Sequence, residues 1–172
     1  MRALLIGLAA FMGAAPAVAS EPHAGIVLYH GSCNAKSHVA EGRLGGDLSK
    51  AHAPIACETV AAGTRDDGFV LISFLDGRAH STPLGFSGER IASMPGSALS
   101  RLAVTSVFLP GLTSADHAEV TKGVEGWCFW KTADGLSHLT GVSCVARVDR
   151  QGRRTVYNAT VDDLHDPFQT AP

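Results

Sequence analysis

The stretch from Gly126 to Asp163, GWCFWKTADGLSHLTGVSCVARVDRQGRRTVYNATVDD, decides the fold. It holds Cys128, Cys144, both tryptophans and Tyr157, in a chain whose aromatic content is only 6%. Gln151-Gly152 separates two runs of alternating apolar residues, the pattern of an antiparallel hairpin. A two-residue turn there sets Asp149 opposite Arg154, Val148 opposite Thr155 and Ala146 opposite Tyr157. Cys144 then faces Ala159, and Val142 faces Val161. The opposite charges of Asp149 and Arg154 flank the turn and support this register.

The cysteines supply a second register. Placing Cys128 opposite Cys144 sets Trp130 against Val142 and Thr132 against Thr140, leaving the loop ADGLSHL. The two registers are fixed independently, yet both put Cys128, Trp130, Val142, Cys144, Ala146, Tyr157, Ala159 and Val161 on one face. A slip of one residue would turn a whole strand over, so the agreement is informative. The stretch reads as a three-stranded meander with one core-facing side and a disulfide across its first two strands. Closing a loop of about 15 residues stabilises by about 3 kcal/mol in the chain-entropy account. Trp127 and Phe129 fall on the opposite face and need a second layer or a ligand over them.

The other two cysteines, Cys33 and Cys57, are left to pair with each other. Four cysteines allow three connectivities, and an even count in an exported chain reads as disulfides. No CxxC or CxxCH spacing points to zinc or haem.

Export is read from the first residues, MRALLIGLAAFMGAAPAVAS. Arg2 is a short basic region, Ala3 to Ala15 is apolar, and Ala17-Val18-Ala19 offers the small residues of a cleavage site. The apolar run of about 13 residues is short for a membrane span, which needs about 20. The expectation is a signal peptide over residues 1–19, cleaved after Ala19. A single β domain over 20–166 and a short tail over 167–172 follow. Removing the leader takes one basic residue, leaving 13 Lys and Arg against 16 Asp and Glu, a balance of −3. These charges are interspersed, which argues against nucleic acid and anionic membrane surfaces. No later stretch approaches a membrane span.

The mature chain is rich in glycine, and short alternating runs are bounded by Gly, Asp and Pro. Strands are predicted at 25–30, 55–61, 69–75, 78–84, 101–109, 127–132, 140–149 and 154–161. Asp76-Gly77 is the strongest hairpin signal; a two-residue loop there sets Leu75 opposite Arg78 and Ser73 opposite His80. Helix candidates are 35–52 and 114–122, the first reading better as a loop. The expected fold is all-β, a small antiparallel sandwich or barrel of about seven or eight strands with two disulfides and at most one or two short helices.

Chemistry-bearing residues are sparse. His30, His38 and His52 could be assembled by the fold into a site for copper or zinc, although none of the histidines has the spacing of a local metal motif. Asp162, Asp163, His165 and Asp166 crowd five positions and read as a solvated chain end rather than a cation site. GFSGE around Ser87 is not the GxSxG of a nucleophile elbow. Asp66-Asp67 sits in a turn, and Glu58 is a single acid. Cysteines held in disulfides are not nucleophiles. The Asn158-Ala159-Thr160 sequon matters only in a eukaryotic secretory route.

The leading expectation is an exported, non-catalytic protein-binding module, an inhibitor or an envelope accessory factor, in the periplasm or secreted. Its partner is a protein of the cell envelope, and no cofactor is required. Trp127, Phe129 and His138 are the candidate binding residues. A periplasmic metal-binding protein using His30, His38 and His52 is the alternative, and a hydrolase with a dispersed active site is third.

Overall fold

The computed structural model describes residues 25–65, 67–76, 84–92, 99–109, 118–132, 136 and 138–168. The expected signal peptide, Asp66, the Gly77 turn and residues 78–83 lie outside them. So do residues 93–98, 110–117, most of the loop ADGLSHL and 169–172.

Twelve strands are present among the described residues, and no helix. They are β1 (Ile26–His30), β2 (His38–Arg43), β3 (His52–Pro54), β4 (Thr59–Thr64), β5 (Val70–Leu75) and β6 (Leu84–Ile91). After these come β7 (Leu99–Leu109), β8 (Ala118–Val120), β9 (Val124–Thr132), β10 (Leu139–Arg150), β11 (Arg153–Val161) and β12 (His165–Phe168). All belong to one antiparallel sheet in the order β12-β1-β4-β5-β6-β7-β9-β10-β11-β2-β3, with β8 paired to β7. The sheet curls into a half-barrel. The all-β expectation holds; the number of strands exceeds the seven or eight foreseen.

Period-two alternation explains the curl. Along β9, Cys128 and Trp130 are buried while Glu125, Trp127, Phe129 and Lys131 are exposed. Apolar side chains from opposite walls fill the concave side, where Tyr29, Val60, Ile72, Phe86, Leu102 and Val107 are fully buried. Phe74 and Phe86 meet edge to face at 5.8 Å, the arrangement their ring quadrupoles favour. An apolar interior with charged residues outside is the reverse of a lipid-facing barrel. No helix of the described residues is long and apolar enough to cross a membrane.

The meander has the expected registers. Every pair from Val142–Val161 to Arg150–Arg153 lies as the Gln151-Gly152 turn requires. Gln151 and Gly152 take φ of 50° and 74°, two successive positive values, as a type I′ hairpin demands. Cys128 pairs with Cys144 and Trp130 with Val142. The bridge Cys128–Cys144 spans a Cα separation of 4.0 Å, nearer the closer of the two antiparallel spacings. One detail is corrected: Thr132 pairs with Leu139, not Thr140, because the ladder shifts between Leu139 and Gly141. The shift buries Leu139, at 3% exposure, and leaves Thr140 exposed.

At one rim the β1–β2 and β11–β12 connections are tied to the strands beside them. The Asn34 N–H donates to the Thr160 carbonyl, and the Ser37 hydroxyl donates to the same carbonyl while accepting from the Thr160 N–H. The Leu164 N–H donates to the Thr140 carbonyl. The second bridge, Cys33–Cys57, ties the β1–β2 connection to the approach of β4. Both expected disulfides are therefore present, and no described cysteine is free.

Other expectations fail for identifiable reasons. On the side of β5 away from β4, its partner is β6, with Ser73 opposite Gly85 and Phe74 opposite Leu84, so the register with His80 opposite Ser73 does not hold; residues 78–83 of that expected strand lie outside the described residues. The observed register sets Phe86 against Ile72 in the core. The loop expected over residues 35–53 contains β2 and β3. The polar run HVAEGR is held by pairing with β11 and β3, and tertiary context outweighs its local character. The helix at 114–122 is contradicted at β8, which pairs with the C-terminal part of β7. The strand at 55–61 begins and ends later, as β4. Finally, β12 takes in Pro167 and Phe168, beyond the boundary drawn at 166.

Candidate functional site

The outer, convex face of β7, β9, β10 and β11 carries the largest group of exposed apolar side chains close to a disulfide. The registers arrange it in rows. Ala103, Trp127, Val145 and Asn158 form one row; Arg101, Phe129, Ser143 and Thr160 form the next; Leu99, Lys131 and Gly141 begin a third, with Asp162 just beyond β11. Trp127 is 45% exposed and Phe129 37%. Val145 and Leu99 are exposed too. No described residue forms a second layer over them.

Their rigidity comes from behind. Cys128 stands between Trp127 and Phe129 and is bonded to Cys144, so the backbone presenting both rings is cross-linked to its neighbour. Trp130, next on the concave side, is 1% exposed. Its Nε1 donor has no hydrogen-bond partner among the described residues, so among them packing holds that ring.

Beside Phe129 the face is hollow. Gly141 has no side chain and Ser143 a small one, so β10 forms the floor of a trough of about 140 Å³. Phe129 and Lys131 make one wall; Thr160 and Asp162 make the other. The Ser143 and Thr160 hydroxyls bond each other at 2.8 Å. Asp162 accepts from the Asn34 amide at 2.7 Å. The aromatic wall is thus apolar and cationic, and the facing wall is polar and already engaged.

A wider groove of about 520 Å³ lies at the rim, lined by His30, Asn34, Glu58, Asp162, Asp163 and His165 among others. The His30 and His165 rings stand 6.3 Å apart, tilted.

The three histidines singled out for metal are divided. His38 and His52 stack face to face at 4.2 Å, a geometry that turns ring faces rather than nitrogen lone pairs toward each other. The His38 Nδ1 lies 2.7 Å from the Lys36 carbonyl and so carries the proton in that contact. His30 instead faces the rim groove. Among the described residues no group of three or more His, Cys, Asp or Glu side chains is arranged to hold a metal ion, and this includes Asp162, Asp163, His165 and Asp166. His138 is exposed at the end of the β9–β10 connection, away from the row that holds Trp127.

Ser87 is 1% exposed and lies within β6 opposite Ser106, not on an exposed turn. Tyr29 donates to the Leu136 carbonyl, and burial pushes its phenol above the ordinary value. Both belong to the core.

Trp127 and Phe129 were legible from the registers alone. Val145 was implied opposite Trp127 by the same arithmetic. Leu99 and Arg101 were missed, because nothing local in the sequence says that β7 lies against β9; Lys131 shares the parity of Trp127 and Phe129 on β9 and was passed over. No protein-family model matches the chain, and no curated protein or solved structure matches it.

Proposed function

We propose that the chain is an exported, non-catalytic binding module, an inhibitor or envelope accessory factor of the periplasm or the extracellular space, that recognises a protein partner through its convex face. The observation that carries this reading is the pair Trp127 and Phe129, held outward on a strand cross-linked by Cys128. Single exposed apolar residues are ordinary, but a contiguous group with rigid aromatics is the usual mark of an interaction surface. Large aromatic anchors also lose little conformational entropy on binding, having only two side-chain torsions. Two bridged cysteine pairs suit an oxidising compartment, and the signal-like first residues agree with that.

The test is affinity capture from an envelope extract, run in parallel with the native chain and the Trp127→Ala/Phe129→Ala double variant. At unchanged melting temperature, the native chain is expected to recover a protein that the variant does not. Equal recovery by both, or none by either, contradicts the reading.

A further inference from the structure

We propose that the segment recognised by the convex face is acidic, with an apolar ring or leucine side chain beside its carboxylates. This rests on the binding-module reading and names the chemistry of the partner. The argument begins from charge. Arg101 lies directly across from Phe129, and Lys131 follows it two positions along β9 on the same face. Both are exposed. Neither has an ion-pair partner among the described residues, whereas three of the four arginines farther down the meander are engaged, Arg150 at the turn being the exception. Arg147 pairs with Glu125, Arg154 with Asp149, and Arg153 with Glu41. Two uncompensated positive charges thus flank Phe129 on the exposed aromatic face.

The trough fixes the second half of the chemistry. Its volume of about 140 Å³ is far below the roughly 300 Å³ or more of a pocket for a drug-sized molecule. It is close to the cavity of about 150 Å³ that takes one six-membered ring. One aromatic or leucine side chain, seated on Gly141 and Ser143 against Phe129, fills it. Trp127 and Val145 extend the apolar surface in the next row, so neighbouring apolar residues of the partner find contact there.

Polarity across the trough sets the orientation. Asp162 lies on the far wall and its carboxylate already accepts from Asn34, so a second carboxylate brought to that wall meets like charge. The partner's acids therefore lie on the Arg101–Lys131 side, and its chain crosses β9 with the ring pointing toward β10. Electrostatic pairing of this kind at an exposed surface contributes register and association rate more than raw affinity, and salt screens it.

The experiment is selection of a displayed library of random peptides on the intact, oxidised protein, followed by binding measurements on the enriched peptides at low and high salt. The expected enrichment is Asp or Glu next to Phe, Tyr, Trp or Leu. Such peptides are expected to weaken at least about tenfold with Trp127→Ala/Phe129→Ala. They are expected to weaken by about tenfold at low salt with Arg101→Glu/Lys131→Glu, a difference that shrinks at high salt. Circular dichroism of each variant establishes that the sheet is retained. Peptides that need Trp127 and Phe129 yet show no acidic bias, and are indifferent to the charge reversals, overturn the proposed chemistry while leaving the convex-face reading standing. Enrichment of basic peptides does the same. Failure to enrich any peptide, peptides indifferent to both double variants, or a glycan array bound through Trp127 in place of peptides overturns the proposal, and the second of these outcomes removes the convex-face reading as well.

Discussion

Trp127 and Trp130 stand three residues apart on β9 and point to opposite sides of the same sheet, one 45% exposed and the other 1%. That parity is a consequence of strand geometry, since successive side chains alternate, and Cys128 fixes which parity applies. Because Cys128 must reach Cys144, Trp130 goes inward with it and Trp127 and Phe129 go outward. The disulfide that stabilises the fold is therefore also what exposes the aromatic face.

Removing that bridge is expected to be costly. The cysteines are separated by 16 positions, so a Cys128→Ala/Cys144→Ala variant should lose about 3 kcal/mol of unfolding free energy. Urea denaturation of the variant beside the native chain measures it. A loss well under 1 kcal/mol would mean that the meander holds its register without the cross-link. Mass spectrometry after alkylation of native protein should find no free thiol.

The turn of the second hairpin predicts a pH dependence. The Arg154 guanidinium donates to both carboxylate oxygens of Asp149, each at 2.8 Å, and these bonds hold the Asp149 carboxyl below its ordinary value, assisted by the charges of Arg154 and Arg147. A group whose folded value is depressed contributes stability above its unfolded value of about 4, and that contribution is lost as pH falls through the folded value. Asp149→Asn should therefore lower stability near neutrality and flatten its decline below about pH 4. An acid limb identical to that of the native chain would contradict the assignment.

Gly123 joins β8 to β9 with φ of 71°, and a Cβ there would lie 2.3 Å from the Asp149 carbonyl oxygen. The Gly123 carbonyl accepts from the Asp149 N–H at 2.9 Å. Both the conformation and the space require glycine, so Gly123→Ala should destabilise by more than about 1 kcal/mol. An unchanged midpoint in urea would show that the corner can relax.

Trp130→Phe removes a buried indole donor that has no partner among the described residues. Losing ring volume costs stability, but losing an unsatisfied donor returns some, the desolvation of such a group being about 1–3 kcal/mol. The net cost should be distinctly smaller than the roughly 3–5 kcal/mol of Trp130→Ala. Equal losses for the two substitutions would mean that the indole N–H is satisfied in solution.

Much of this was readable from residues, and the boundary is physical. The meander was legible because two local constraints, a turn and a cysteine pair, had to agree on parity. Both bridges followed, one from register and one by elimination. What escaped were the pairings between segments distant in sequence. HVAEGR has no apolar alternation strong enough to mark it as a strand, and it becomes β2 only because β11 offers an open edge. Phe86 was passed over, and Leu84 was set at the end of a strand in place of the start of one, because Asp76-Gly77 looked like a sufficient turn; the register instead puts these large side chains opposite Ile72 and Phe74. At the candidate site, Trp127 and Phe129 were found and Arg101 was not, for the same reason: its place across from Phe129 depends on β7 pairing with β9.

The most direct test of the exposed aromatic face is fluorescence quenching by acrylamide, comparing the native protein with Trp127→Phe. In the variant only Trp130 remains, and its emission is expected at short wavelength and nearly unquenched. The native protein should add a red-shifted component that acrylamide quenches readily. If both proteins are equally blue and equally protected, Trp127 is covered in solution, and the face on which the functional reading stands is not available to a partner.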